Sequence, residues 1–217
     1  MSSISTKPFT CSKCGYKGKI KMYDSVNVTL DPKLRERVLS GEIFGWTCPK
    51  CEEVLSVRHN LLYHDMHNEF QVYYSPTECE ALNDMMNETL AKFPGMRKTV
   101  RTVDSLNALR EKIYIFEEGL NDIAIELSKV VIKYDKQNSI NPKSELRFEK
   151  LIADGKDSYN GKLIFRQIID GQPQKGMILF DKVNYDNFVT EVTTNNKFKM
   201  QKYCDTIDEK WILTHFA

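Results

Sequence analysis

No stretch of this 217-residue chain approaches the roughly 18 consecutive apolar residues that a membrane-spanning helix needs. Residues 1–7 hold neither an apolar run nor a small-residue cleavage site, so the expected address is cytoplasmic. A Gly-rich phosphate loop, a Ser-His-Asp grouping and an internal repeat are also missing, which leaves the commonest sequence signs of an enzyme or a solenoid unmet. Charge of one sign is scarce too: 31 Lys and Arg face 30 Asp and Glu, a net +1, which excludes a polyelectrolyte. The chain does have 41% apolar and 28% charged residues, which suits a globular protein with one large or two modest cores. The local exception is the opening stretch to Met22, which contains Lys7, Lys13, Lys17, Lys19 and Lys21 and no acidic residue.

The six cysteines are unevenly placed: Cys11 and Cys14, then Cys48 and Cys51, then Cys79 and Cys204 alone. A two-residue spacer lets a tight turn aim two sulfurs at one point, and two such turns face to face supply the tetrahedron of thiolates that Zn2+ prefers in closed structural sites. Gly15 suits the positive φ of a knuckle turn and Pro49 presets φ in the other, while Glu52 stands where the first knuckle has Gly15. A redox dithiol or a pair of disulfides is the competing reading; a cytosolic address disfavours stable disulfides, and one redox pair leaves the other pair unexplained. Four thiolates leave no open coordination position, so the expected ion is structural. Cys79 and Cys204 read as small, at least half-buried thiols and not as ligands.

The patterning predicts an α+β chain: an N-terminal elaborated zinc ribbon over residues 9–75, a helical region over 76–135 and a C-terminal antiparallel β/α region over 143–217. Alternation predicts a strand over 19–30, and Asp31-Pro32 starts a short helix that Gly41 closes. Strands are expected at 54–57 and 69–74, joined by a loop around Tyr63 to His67. Helical spacing begins at Thr77 and breaks at Pro94-Gly95; Asp104 is the expected cap of the next helix, which Gly119 stops before Asn121 and Asp122 cap another. Beyond residue 143, strands are predicted over 146–152, 162–169, 177–180 and 211–216, with a turn at Asp170-Gly171-Gln172-Pro173 and a helix over 185–193.

The N-terminal third resembles the CpXC domain family through Cys48-Pro49-Lys50-Cys51, Val26-Asn27-Val28, Asp31-Pro32-Lys33-Leu34, Leu39-Ser40-Gly41-Glu42 and Leu62-Tyr63-His64-Asp65-Met66. The likeness extends to Glu111-Lys112-Ile113 and Gly119-Leu120-Asn121-Asp122, while Ser12 stands in the first knuckle where proline could. The resemblance implies a bacterial or archaeal protein with a zinc-ribbon-like head, and it implies no reaction.

Three functions compete. The first is a zinc-stabilised, non-catalytic module that binds another protein or a second copy of itself. The second is weak nucleic-acid binding through Lys17, Lys19 and Lys21, with Tyr16 and Tyr23 available to stack on bases. The third is a hydrolase-type enzyme built on the His64, Asp65 and His67 loop, where a carboxylate beside imidazoles suits acid-base chemistry.

Overall fold

In the computed structural model the described residues are 1–93, 95, 99–135, 140–141, 144–152 and 159–216. The expected break at Pro94 and the start of the C-terminal region at Lys143 lie outside them. The chain is mixed α+β and divides into two compact units, residues 1–110 and 111–217. The division falls inside one helix, α3 (Leu106–Glu117), so the segment read as a helical region over 76–135 is shared between the units.

In the first unit, β1 (Ser3–Thr10), β2 (Lys17–Asn27), β5 (Leu61–Asp65), β6 (Phe70–Tyr74) and β7 (Thr99–Val103) lie side by side in that order. Pairing alternates: β1 with β2 and β5 with β6 run antiparallel, β2 with β5 and β6 with β7 parallel. A separate antiparallel pair, β3 (Gly45–Thr47) and β4 (Val54–Ser56), carries the second knuckle. β1 escapes the sequence reading because its Ser- and Thr-rich face lacks the apolar alternation that marks a half-buried strand. Tyr63 to Asp65, expected in a loop, instead belongs to β5, where Leu61, Tyr63 and Asp65 are buried and Leu62 and His64 half-buried, the period of two of a strand.

Helix α1 (Lys33–Ser40) turns Leu34, Val38 and Leu39 inward and ends at Gly41, whose φ of 83° is open to glycine without steric cost. Pro32 occupies its cap position without a side-chain bond, so Asp31 does not cap it; the Asp31 carboxylate accepts from the Ser2 hydroxyl. Aromatic contacts fill the core: Phe44 meets Tyr74 edge-on at 5.4 Å, and Tyr63 stacks on Phe70 at 5.8 Å. The His59 ring ties the segment after β4 to β2, with its nitrogens 2.9 Å from the Val57 carbonyl and 3.0 Å from that of Tyr23. Helix α2 (Cys79–Lys92) buries Met86 and Leu90, and the Thr102 hydroxyl on β7 donates to Asn83 Oδ1 at 2.6 Å. Ser105, not Asp104, caps α3, since its hydroxyl accepts from the Ala108 N–H.

The second unit holds α4 (Asp122–Tyr134), the antiparallel sheet β10 (Gln172–Asp181), β9 (Lys162–Ile169), β8 (Glu145–Ile152), and helices α5 (Lys182–Thr194) and α6 (Glu209–Phe216). Gly119, at φ 65°, ends α3, and Asn121 caps α4 by accepting from the Ile123 and Ala124 N–H groups, as the sequence suggested. The turn into β10 needs only Asp170 and Gly171, both left-handed, so that strand starts at Gln172, earlier than expected. Residues 211–216, read as a strand, form most of α6: an apolar run this short does not declare its period.

Five charged side chains are packed inside this unit. Lys112 donates to Asp122 at 3.1 Å and to Glu126 at 3.3 Å, with all three side chains at most 4% exposed. Lys129 bridges Glu126 and Glu111, and Glu111 also accepts the Phe148 N–H of β8. Each charge thus has an opposite partner, the condition for tolerating ions away from water. Removing one cation strands its carboxylates, so Lys112→Met should cost about 3 to 5 kcal/mol in urea unfolding. Lys182→Ala, which breaks an exposed pair with Asp186, should cost under about 1 kcal/mol; equal losses would contradict this account.

Candidate metal centre

The two C-x2-C knuckles fold alike, residue for residue. In the first, the Cys11 N–H donates to the Tyr16 carbonyl at 2.8 Å and the Gly15 N–H to the Cys11 carbonyl at 3.0 Å. In the second, the Cys48 N–H donates to the Glu53 carbonyl and the Glu52 N–H to the Cys48 carbonyl, both at 2.9 Å. Gly15 has φ 70° and Glu52 φ 57°, so the turn demands the left-handed region at this position whatever residue stands there. The matching extends two residues upstream, where Phe9 and Trp46 meet edge-on at 4.7 Å and hold the two hairpins together.

This arrangement crosses the sulfurs. Cys11 Sγ lies 3.8 Å from Cys51 Sγ and Cys14 Sγ 3.7 Å from Cys48 Sγ, and the four sulfurs all lie within 4.8 Å of one another. Cys11 and Cys48 are buried, Cys14 and Cys51 partly exposed, and all four are free thiols. Burial pushes the Cys48 thiol up, but the Lys50 and Cys51 N–H groups and neighbouring thiols outweigh it and bring it down to about 7. For Cys51 the Glu53 N–H pulls down, yet burial and the three other sulfurs push it up to about 12. Such a cluster releases one proton readily and holds the next, and a cation among the sulfurs is what would free the rest. Four converging cysteines can therefore bind a metal ion. Among the described residues, no other group of His, Cys, Asp or Glu has this convergence. Cys79, which donates to the Ser75 carbonyl, and buried Cys204 are not part of it.

The second candidate region is a turn. Asp65 Oδ1 accepts the His67 and Asn68 N–H groups at 2.9 and 3.0 Å and the Thr29 hydroxyl at 3.3 Å, and its Oδ2 accepts from Asn68 Nδ2 at 2.7 Å. His64 is half-buried in β5 and His67 exposed beyond it, so the neighbours in sequence serve different surroundings. Thr29 and Asn68, which complete this turn, escaped the sequence reading, because Thr29 is 36 residues away and only the fold brings it near. Burial raises the Asp65 carboxyl, but these hydrogen bonds outweigh it and hold it below the usual aspartate value.

Lys17, Lys19 and Lys21 are exposed along one face of β2, while Ile20 and Met22 on the other face are buried. Lys13 on the first knuckle pairs with Glu53 on the second. Tyr16 lies against Gly18, where a Cβ would come within 2.6 Å of the ring, and Tyr23 holds the Arg37 guanidinium 5.6 Å from its ring centre. Neither ring is an open stacking platform.

Two predictions follow from the turns. Gly15→Ala should lose about 1 to 2 kcal/mol, because nothing crowds a Cβ there and only the left-handed φ resists it, whereas Glu52→Gly should raise the melting temperature; a neutral Gly15→Ala would refute the strained-turn account. Asp65→Asn should cost about 1 to 2 kcal/mol at neutral pH and His67→Ala almost nothing. Because folding depresses the Asp65 pKa, its stabilisation is present above the ordinary aspartate value and lost as pH falls through the folded one. The gap between wild type and Asp65→Asn should therefore close in acid, and a gap that persists there would contradict the assignment.

Among known proteins, the family described as CpXC protein matches residues 9–129, more than half of the chain and all four clustered cysteines. No curated protein and no solved structure matches it.

Proposed function

The chain belongs to the CpXC family, and from that premise we propose that Cys11, Cys14, Cys48 and Cys51 hold one structural Zn2+ and that the first unit is a zinc-ribbon-like, non-catalytic binding module. The observation that carries this reading is the separation of the crossed sulfurs. Four sulfurs about 2.3 Å from a central ion in a tetrahedron stand about 3.8 Å apart. The crossed pairs lie 3.7 and 3.8 Å apart. An all-thiolate tetrahedron suits Zn2+ among the abundant divalent ions, and a full coordination sphere leaves no place for a reacting water. A reducing cytoplasm suits free thiols. The commitment of the Asp65 carboxylate to its turn favours a binding role over acid-base chemistry at His64.

The partner of such a module is another protein or a second copy of the chain. One observation favours a polyanion instead, the lysine row on β2.

Protein purified without chelator should hold one zinc per chain. Cys48→Ser should lose the metal and the cooperative unfolding of the first unit, and Cys79→Ser with Cys204→Ser should leave the stoichiometry unchanged. A metal-free chain whose first unit still melts cooperatively would overturn the reading.

A further inference from the structure

We infer that the outer face of the β1–β2 hairpin is a binding track for the sugar-phosphate backbone of single-stranded nucleic acid, gripped by Lys17, Lys19 and Lys21. The inference rests on the module proposed above and takes up the polyanion favoured by the lysine row in place of a protein partner. In β2 these three residues alternate with Gly18 and Ile20, so their side chains share one face, and their Cα atoms repeat about every 6.6 Å along the strand. That repeat is close to the step between phosphates of an extended single strand, so successive lysines can meet successive phosphates.

The cross-strand neighbours leave the row uncompensated. Lys17 stands opposite Thr10, Lys19 opposite Pro8 and Lys21 opposite Thr6, so no carboxylate on β1 faces the ammonium groups. The acidic residue nearest along β2, Asp24, falls on the other face and accepts from the Ser5 hydroxyl. Two threonines flanking the row add hydroxyl groups that can bond phosphate oxygens.

The geometry separates this partner from other polyanions. The lysines project from the face of β2, so what the row selects is regularly spaced anionic charge, which a nucleic-acid strand carries at every residue and an acidic peptide only where its acidic side chains fall. A flat row of flexible ammonium groups reaches backbone and not base edges, and Tyr23, next along the same face, is already covered by Arg37. The grip is therefore electrostatic, indifferent to sequence and weak. A four-thiolate centre around a divalent ion is itself net negative and lies beside the turn, so Lys17, nearest the knuckle, contributes less than Lys19 and Lys21.

The test is fluorescence anisotropy of labelled oligo-dT and oligo-U, about 12 nucleotides long, with the full metal-loaded chain. Three phosphates met by lysines give a slope of log K against log salt of about −2, a loss of roughly 20-fold between about 50 and 200 mM salt. The variant Lys17→Gln, Lys19→Gln, Lys21→Gln should flatten the slope to near zero while keeping its zinc and melting temperature. A control with the same charge change in the second unit, Lys175→Gln, Lys197→Gln, Lys199→Gln, should bind as wild type. The inference is overturned if the metal-loaded wild type does not bind at about 50 mM salt, or if the control loses as much affinity as the row variant. It is equally overturned if phosphatidylserine vesicles bind through the row while the oligonucleotides do not. A chain that lacks metal but keeps the salt-dependent grip would count against the zinc reading and leave the lysine track standing.

Discussion

Everything in the first unit hangs on bringing two tight turns, 33 residues apart in sequence, to one point. The intervening β2, α1 and β3 must return the chain to within a sulfur's reach of its start, and closing such a loop costs conformational entropy that local structure alone does not recover. Part of the closure comes from packing, with Phe9 against Trp46, each two residues before its knuckle, and Phe44 against Tyr74 deeper in the core. The rest, in the reading proposed here, comes from an ion. The sulfurs resist shedding all their protons together, as the rise of Cys51 to about 12 beside a lowered Cys48 shows, and a divalent cation turns that repulsion into attraction.

The cysteines were legible in the sequence because metal geometry imposes a spacing that no other common use of cysteine requires. Gly41, Gly119 and Asn121 were legible for a similar reason: each satisfies a local backbone demand, and local demands are written locally. Glu52 shows the limit of that logic. It takes the left-handed conformation its knuckle needs without being glycine, so the turn is set by the hydrogen bonds that the Cys48 and Glu52 N–H groups donate more than by residue preference.

Elements decided by tertiary surroundings were not legible. The run Trp211, Ile212 and Leu213 suits a strand as well as a helix, and β7, with only Val100 and Val103 apolar among its five residues, carries too little hydrophobic pattern to stand out between two helices. The buried charges were hidden more thoroughly. Glu111, Lys112, Asp122, Glu126 and Lys129 look in sequence like the solvated faces of two helices, yet the fold buries them as a network of opposite charges. The lysines of β2 were visible as a basic stretch; their common face, and the absence of any acidic neighbour across the strand pair, needed the register of β1.

The measurement that bears most directly on this account is zinc-edge X-ray absorption on the purified full chain. Four sulfur scatterers at about 2.3 Å, with no nitrogen or oxygen in the inner shell, is the result the crossed knuckles predict. A shell containing light atoms, or fewer than four sulfurs, would mean that the four cysteines do not close around one ion, and the structural role assigned to them would fail.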